Sequence, residues 1–200
     1  MIGLGDLKLV YLASCVLLGL IILSPTLALV VRVPGGEKFS ELWILGPGHM
    51  VEDYPHNVSA GNVYSVNLGI GNHLGGLKYY LVYVKLRNQT EPAPDSLNGT
   101  PSGLAPLFEY RVFLGDGDVW EREVSFSFDG VSFEGDLCRV SKLSIDGSAF
   151  SVDKVAVRDQ VNNGFYLQLF FELWLYNATA SGFQFHDRAV WNWLNVTRSM

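Results

Sequence analysis

Cysteine, charge and threonine are all scarce in this chain, and each scarcity excludes something. Only Cys15 and Cys138 occur, and the first lies inside a long apolar run. An intrachain disulfide framework is therefore excluded, and the fold must rest on its core, for which 200 residues suffice. Cys138 reads as a small buried apolar residue. Charged residues make up 17% of the chain, with a net charge of -6 and no basic run. Nucleic-acid binding, which needs clustered Lys and Arg, is excluded on that ground. At 48% hydrophobic and 13% aromatic, the chain is equally unlike a disordered tail.

Catalytic signatures are lacking too. There is no G-x-S-x-G, no H-E-x-x-H, no phosphate-binding glycine loop opening a helix and no C-x-x-C. His49, His56, His73 and His186 never reach zinc-ligand spacing; the first two are seven apart in loop-like sequence. The expectation is a protein without cofactor or metal, and not an enzyme.

What is present begins with 23 residues, Leu9 to Val31, free of charge and bracketed by Lys8 and Arg32. As a helix they reach about 34 Å, just beyond the ~30 Å apolar core of a bilayer. Pro25 is expected to kink or end that helix. A cleaved signal peptide is the rival, since Thr26-Leu27-Ala28 offers a poor cleavage site. Asp6 beside the only lysine of the leading segment speaks against it. Leu12-Ala13-Ser14-Cys15 matches a lipidation box, but the apolar run continues well past the cysteine. The expected organisation is a cytoplasmic stretch 1–8, a bilayer-spanning anchor 9–31 and an outer domain 38–200.

Lys and Arg bias does not decide orientation here, but the sequons do. Asn57-Val-Ser, Asn88-Gln-Thr, Asn98-Gly-Thr, Asn177-Ala-Thr and Asn195-Val-Thr are N-glycosylation acceptors. Composition alone would give about one such triplet. Outside the apolar run every threonine (Thr90, Thr100, Thr179, Thr197) completes a sequon. The long C-terminal part is therefore expected to face the compartment of glycosyl transfer and to carry N-linked glycans. A single-pass membrane protein with its N-terminus inside follows.

Beyond the anchor the period is two. Tyr64, Val66, Leu68 and Ile70 share a face, as do Tyr80, Val82, Val84 and Leu86. Phe108, Tyr110 and Val112 alternate with Glu109 and Arg111, and Trp120, Val124, Phe126 and Phe128 oppose Glu121 and Glu123. Phe165, Leu167, Leu169, Phe171, Leu173 and Leu175 oppose Gln168 and Glu172, and a last strand covers 190–196. Such runs, punctuated by Gly, Asn, Asp and Pro, predict a mainly β fold: an antiparallel sandwich with one wet face per sheet. Residues 87–106, with four prolines, read as a long exposed connection, and 129–163 as an inserted excursion from the sandwich, with Leu143-Ser-Ile145 and Val155-Ala-Val157 as the apolar pieces of an extra hairpin. Trp174, Trp191 and Trp193 fall opposite the aliphatic faces, as candidate binding aromatics.

The segment 39–72 carries a resemblance. Ile44-Leu-Gly-Pro47, Glu52-Asp-Tyr-Pro55, Asn57, Gly61 and Leu68-Gly-Ile-Gly-Asn-His73 are similar to the hallmark of the archaeal DUF1616 family. The strand around "YYLVYVKL" follows, and "LQLFFELWLYN" and "WNWLNVT" resemble the family's late strands, so the likeness covers 38–90 and 165–197. Family members commonly carry several N-terminal membrane helices, against one apolar run here. The resemblance implies an archaeal envelope protein with an immunoglobulin-like outer domain and no assigned activity.

The motif also has local readings. Pro47-Gly48 suits the centre of a type II turn, and Tyr54 before Pro55 favours extended backbone. Glu52 and Asp53 are adjacent, so on an extended chain their carboxylates point apart. Gly115-Asp-Gly-Asp118 reads as a hairpin turn rather than a calcium loop. Three functions remain: an interaction or scaffold module with a protein partner in the envelope, a carbohydrate-binding module using the tryptophans, and an envelope enzyme with converging Asp116 and Asp153.

Overall fold

The computed structural model describes residues 4–30 and 37–198, with side chains described at 7–23 and 37–198. The chain divides into two compact units, Met1–Lys38 and Phe39–Met200. Residues 1–3 and 31–36, with the outer end of the expected anchor, lie outside the described residues.

The first unit contains one helix, α1, Leu4–Val30. Its 27 residues give a length of about 40 Å. Apolar side chains occupy every side of it: Leu9, Val10, Leu12, Val16, Leu18, Ile21 and Ile22 are all more than half exposed. Ser14 satisfies its hydroxyl within the helix by donating to the Val10 carbonyl at 2.8 Å. The helix runs on through Pro25 rather than ending there: proline's fixed φ is itself helical, and its missing donor and the clash of its ring with the preceding turn are a cost that a 27-residue helix carries. Among the described residues no helix is long and apolar enough to cross a membrane; described side chains of α1 stop at Leu23.

The second unit is a curled β half-barrel, and strand accounts for 59% of the chain. Its strands are β1 (Phe39–Leu45), β2 (Asn57–Ser59), β3 (Tyr64–His73), β4 (Lys78–Arg87) and β5 (Phe108–Leu114). They continue with β6 (Val119–Glu134), β7 (Leu137–Ile145), β8 (Ser148–Asp159), β9 (Gly164–Asn177) and β10 (Gly182–Thr197). Hydrogen bonding runs β1-β3-β6-β7-β8-β9-β10-β2, with β4 on the other edge of β9 and β5 outside β4. Only two residue pairs, Arg158 with Phe165 and Asp159 with Gly164, join β8 to β9. That short seam lets the ladder fold back, so the inner faces of its two halves meet. All pairings are antiparallel except β2 with β10.

The alternating apolar positions build the core. Val66, Leu68 and Ile70 of β3 meet Val124, Phe126 and Phe128 of β6 and Leu167, Leu169, Phe171 and Leu173 of β9, all essentially buried. Residues 129–163, expected as an excursion, instead form the end of β6 with β7 and β8 and supply Cys138, Val140, Leu143, Ile145 and Ala156 to this core. Their short apolar pieces hid a period of two behind Gly and Asp turns. Burial pushes the Cys138 thiol up to about 11, which keeps it protonated and inert.

The expectation of a wet face on β9 fails. Gln168, Phe170 and Glu172 are as buried as the residues between them. The cover is the connection 88–107, and a charge pair fixes it. Lys85 Nζ donates to Glu172 Oε2 at 2.8 Å and to the Ser102 carbonyl at 2.8 Å. The Ser102 amide donates to Glu172 Oε1 at 2.7 Å. Lys85 is 3% exposed and Glu172 0%, so each charge depends on the other and on the loop for compensation.

Lys85→Met is expected to cost about 3–5 kcal/mol of unfolding free energy, because it strands a buried carboxylate. The double variant Lys85→Met, Glu172→Leu should recover part of that loss. It cannot recover all, since the Ser102 amide then lacks an acceptor, at about 1–3 kcal/mol. Denaturant unfolding of the three proteins checks this; equal losses in single and double variants would contradict it.

Candidate functional site

The family-like motif is where backbone groups of distant strands are tied together. Asn72, wholly buried near the end of β3, receives the Tyr80 hydroxyl on its Oδ1 at 3.0 Å. Its Nδ2 lies 2.8 Å from the Gly76 carbonyl, 2.9 Å from Leu114 and 2.8 Å from Gly115. Its backbone adds bonds with Asp118 and Gly117. One side chain thus satisfies the β3–β4 turn and the β5–β6 turn at once, which no apolar residue could do. The Gly115–Asp118 stretch is a turn, with Asp118 Oδ2 accepting from the Gly115 amide at 2.9 Å, but not the expected hairpin: β5 pairs with β4 and β6 with β3, so the turn carries the chain from one sheet to the other.

From Tyr80 the network continues outward. Ser40 Oγ lies 2.7 Å from the Tyr80 hydroxyl, and His186 Nε2 lies 2.9 Å from Ser40 Oγ. With Tyr80 donating to Asn72, the chain is satisfied when Ser40 donates to Tyr80 and His186 Nε2–H donates to Ser40. Ser40, Tyr80 and Asn72 are buried, so this is a structural relay from β10 to β3, not an exposed nucleophile. His186 sits where the β9–β10 register shifts, followed by Asp187 at φ 51°. Burial, aided by the Arg188 charge and opposed by Asp187, holds the His186 imidazole below its ordinary 6.5.

The Leu-Gly-Pro-Gly turn closes with the His49 amide donating to the Gly46 carbonyl at 3.0 Å. It is not type II: the positive φ falls on His49 (57°) rather than on Gly48. A side chain at Gly46 would run into the Glu52 carbonyl, which fixes glycine there. Asn67 Nδ2 holds the Gly46 carbonyl at 2.8 Å, and Tyr54 OH holds that of Ile44 at 2.9 Å. Trp43 lies flat over Gly69, its partner on β3, where any β-carbon would collide with the indole. Glu52 and Asp53 are exposed, and their carboxylates make no hydrogen bond or ion pair among the described residues.

Two apolar surfaces result. The first is a groove of about 480 Å³ between this turn and β10, lined by Leu42, Ile44, Val51, Tyr54, Val190 and Trp191. The second lies on the outer face, at the end that the 88–107 connection leaves uncovered. There Tyr79 stacks on Phe113 with centroids 4.0 Å apart, and Phe183 meets Tyr79 edge-on at 4.9 Å. Tyr176 joins Phe183 at 5.4 Å, and the Arg111 guanidinium lies 5.5 Å from the Phe183 ring. Phe113 is 64% exposed and Tyr176 41%.

The tryptophans separate. Trp174 packs between Tyr83 and Phe185, Trp193 lies under the Arg87 guanidinium, and only Trp191 is more than half exposed. The better aromatic face, Tyr79 with Phe113, Tyr176 and Phe183, went unread, although each is out of phase with its core-facing neighbour. Asn98 and Asn57 are exposed; Asn88, Asn177 and Asn195 are half-buried. Asn88 and Asn177 form Asx turns, accepting from the amides of Thr90 at 3.0 Å and Thr179 at 2.9 Å. Asp116 accepts from the Gly75 amide, while Asp153 pairs with Arg139 on β7, so the two do not converge. His49 pairs with Glu121 at 2.6 Å, and His73 lies 3.5 Å from Glu41. No group of three metal-ligating side chains occurs among the described residues.

Geometry thus defines a mainly β domain whose distinctive surfaces are aromatic. Residues 34–143 match the family model described as Domain of unknown function (DUF1616), and the chain belongs to that family. The match takes in the Leu-Gly-Pro-Gly turn, Asn72 and β7 as far as Leu143, and stops before β8. Among curated proteins, none matches the chain.

Because the folded domain binds the His186 proton less readily than the unfolded chain, this group's stability contribution is complete above pH 6.5. It is lost as pH falls through the lower folded value. His186→Asn should therefore flatten the change in melting temperature between about pH 7.5 and about pH 5.5. Parallel thermal melts of wild type and variant check this, and an unchanged slope would contradict it.

Proposed function

We propose that this is a membrane-anchored, extracytoplasmic glycoprotein whose β domain acts as a non-catalytic interaction or scaffold module of the archaeal cell envelope. The observation that carries the reading is the uncovered aromatic end of the outer face. A cluster in which Phe113 is 64% exposed, rimmed by Arg111 and Glu109, is costly to leave in water and fits a protein partner. The anchor is supported by α1, which carries apolar side chains on all sides, as a helix does when lipid surrounds it. Five sequons on one side of that helix support an outward-facing domain with an inside N-terminus. An immunoglobulin-like sandwich is the finer architectural reading; it is supported by the core held between the inner faces of β3, β6 and β7 and those of β4 and β9.

A second reading has one observation in its favour. Trp191, 51% exposed, stands at the groove between β1 and β10, as a sugar-stacking tryptophan would in a carbohydrate-binding module. The groove's other walls are chiefly aliphatic, which suits a peptide better.

Phe113→Ser with Tyr176→Ser is expected to release the protein from a larger assembly while leaving it folded. Native electrophoresis of mildly solubilised host membranes reads this directly. Wild type should migrate in a complex and the double variant as the free chain, whereas Trp191→Ala should migrate like wild type. Identical migration of wild type and double variant would count against the aromatic face as the docking surface.

A further inference from the structure

Two of the five sequons lie side by side. β2 and β10 run parallel, and their register sets Asn57 against Asn195, Val58 against Val196 and Ser59 against Thr197. Triplet is thus paired with triplet, position for position. The side chains repeat the pairing: Asn195 Nδ2 donates to Asn57 Oδ1 at 2.9 Å, and the hydroxyls of Ser59 and Thr197 are 2.9 Å apart. Between them, Val58 and Val196 are buried in the core.

The two asparagines are nevertheless unequal. Asn195 is half-buried and engaged through its Oδ1, its Nδ2 and its backbone N–H. Its Oδ1 accepts from the Phe165 amide at 3.0 Å, and its backbone N–H donates to the His56 carbonyl at 2.7 Å. Gly164 leaves just enough room for that amide, since a β-carbon there would collide with Asn195 and Tyr166. Asn57 is exposed, and its part in the pair is only to accept, through Oδ1. Its Nδ2 makes no hydrogen bond among the described residues.

We propose that the pair is a one-glycan site: Asn57 takes the sugar, and Asn195 stays bare as the clamp that holds β2 to β10. This rests on the outer-surface glycoprotein reading above. In the transfer, Asn57 Nδ2 forms a C–N bond to the anomeric carbon of a lipid-phosphate-linked sugar. The phosphate-linked lipid leaves with the former C–O bonding pair, and Nδ2 loses one proton. The product amide keeps its oxygen, so Asn57 Oδ1 still accepts from Asn195. A sugar on Asn195 would instead have to emerge against Asn57, only ~4.8 Å away on the neighbouring strand. The half-buried serine and threonine hydroxyls would then serve different purposes: Ser59 completes an acceptor, and Thr197 completes a ladder.

The test is glycopeptide mass spectrometry on the full chain purified from host membranes, with the exposed loop sequon Asn98 as internal control. The expected result is sugar at Asn98 and Asn57 and none at Asn195. Sugar at Asn195, or a bare Asn57 beside an occupied Asn98, would overturn the assignment. A bare Asn98 with all other sequons bare would defeat the glycoprotein reading itself, and the assignment with it. Paired variants add a second readout. Asn57→Asp, which keeps the oxygen that Asn195 bonds but lacks the nitrogen that takes the sugar, should lose one glycan mass and keep its melting temperature, whereas Asn195→Gln should keep its glycan mass and melt earlier. The reverse pattern would overturn the proposal.

Discussion

The Lys85–Glu172 pair decides which part of the outer face is closed and which is open. Two opposite charges on the outward side of neighbouring strands would ordinarily sit in water and contribute little. Here the 88–107 connection lies over them, and its Ser102 lends both an amide and a carbonyl to the pair. Once desolvated, each charge is dear to leave alone, so the loop, β4 and β9 hold one arrangement. Arg87 extends the same cover, its guanidinium bonding Gln168 and the Glu91 carbonyl and lying over Trp193. The cover stops short of Tyr79, Phe113, Tyr176 and Phe183. That uncovered end is the surface on which the proposed interaction role depends.

The family motif makes sense in the same physical terms. Its glycines are places where another group occupies the volume of a β-carbon: the Glu52 carbonyl at Gly46, the Trp43 indole at Gly69, the Glu41 side chain at Gly71. Its asparagine, Asn72, meets five backbone or side-chain groups where the β3–β4 and β5–β6 turns carry the chain between the sheets. The motif therefore encodes how β1, β3 and the β5–β6 turn are joined. It reads as fold chemistry rather than as an assembled reaction centre, and the charged side chains of Glu52 and Asp53 within it are exposed.

Strands with clean alternation were legible from the residues alone. β3, β4, β5 and the inner face of β9 appear where the pattern puts them, because one face carries large apolar side chains while the other mixes in polar or small residues, such as Asn67 and Gly69 on β3 or Lys85 on β4, even where both faces are buried. β7 and β8 were legible only as a hairpin set apart from the sandwich, since their apolar positions are broken by Lys142, Asp146 and Gly147 and by a register shift between Val140 and Lys142, which hid their place in the sheet and core. The outer face of β9 misled in another way. Gln168 and Glu172 carry the polarity of a solvated face, yet partners 81 and 87 residues away bury them. Of the candidate aromatics, the sequence shows which side of the strand a tryptophan takes, but not that Arg87 or Tyr83 would cover it. The pairing of two sequons across β2 and β10 was equally hidden, because parallel register is set by the whole ladder and not by either triplet.

The central claim is an anchored module on the outer surface, and site-directed labelling tests it most directly. Asp153, on β8, has 78% of its side chain exposed, while the native Cys138 is buried and unreactive. A Cys15→Ser, Asp153→Cys chain can therefore be treated in intact host cells with a membrane-impermeant maleimide, followed by alkaline extraction of the membranes. The account predicts full labelling before lysis and a labelled chain that stays with the membrane pellet. Labelling only after lysis, or a labelled chain released by alkali, would contradict it.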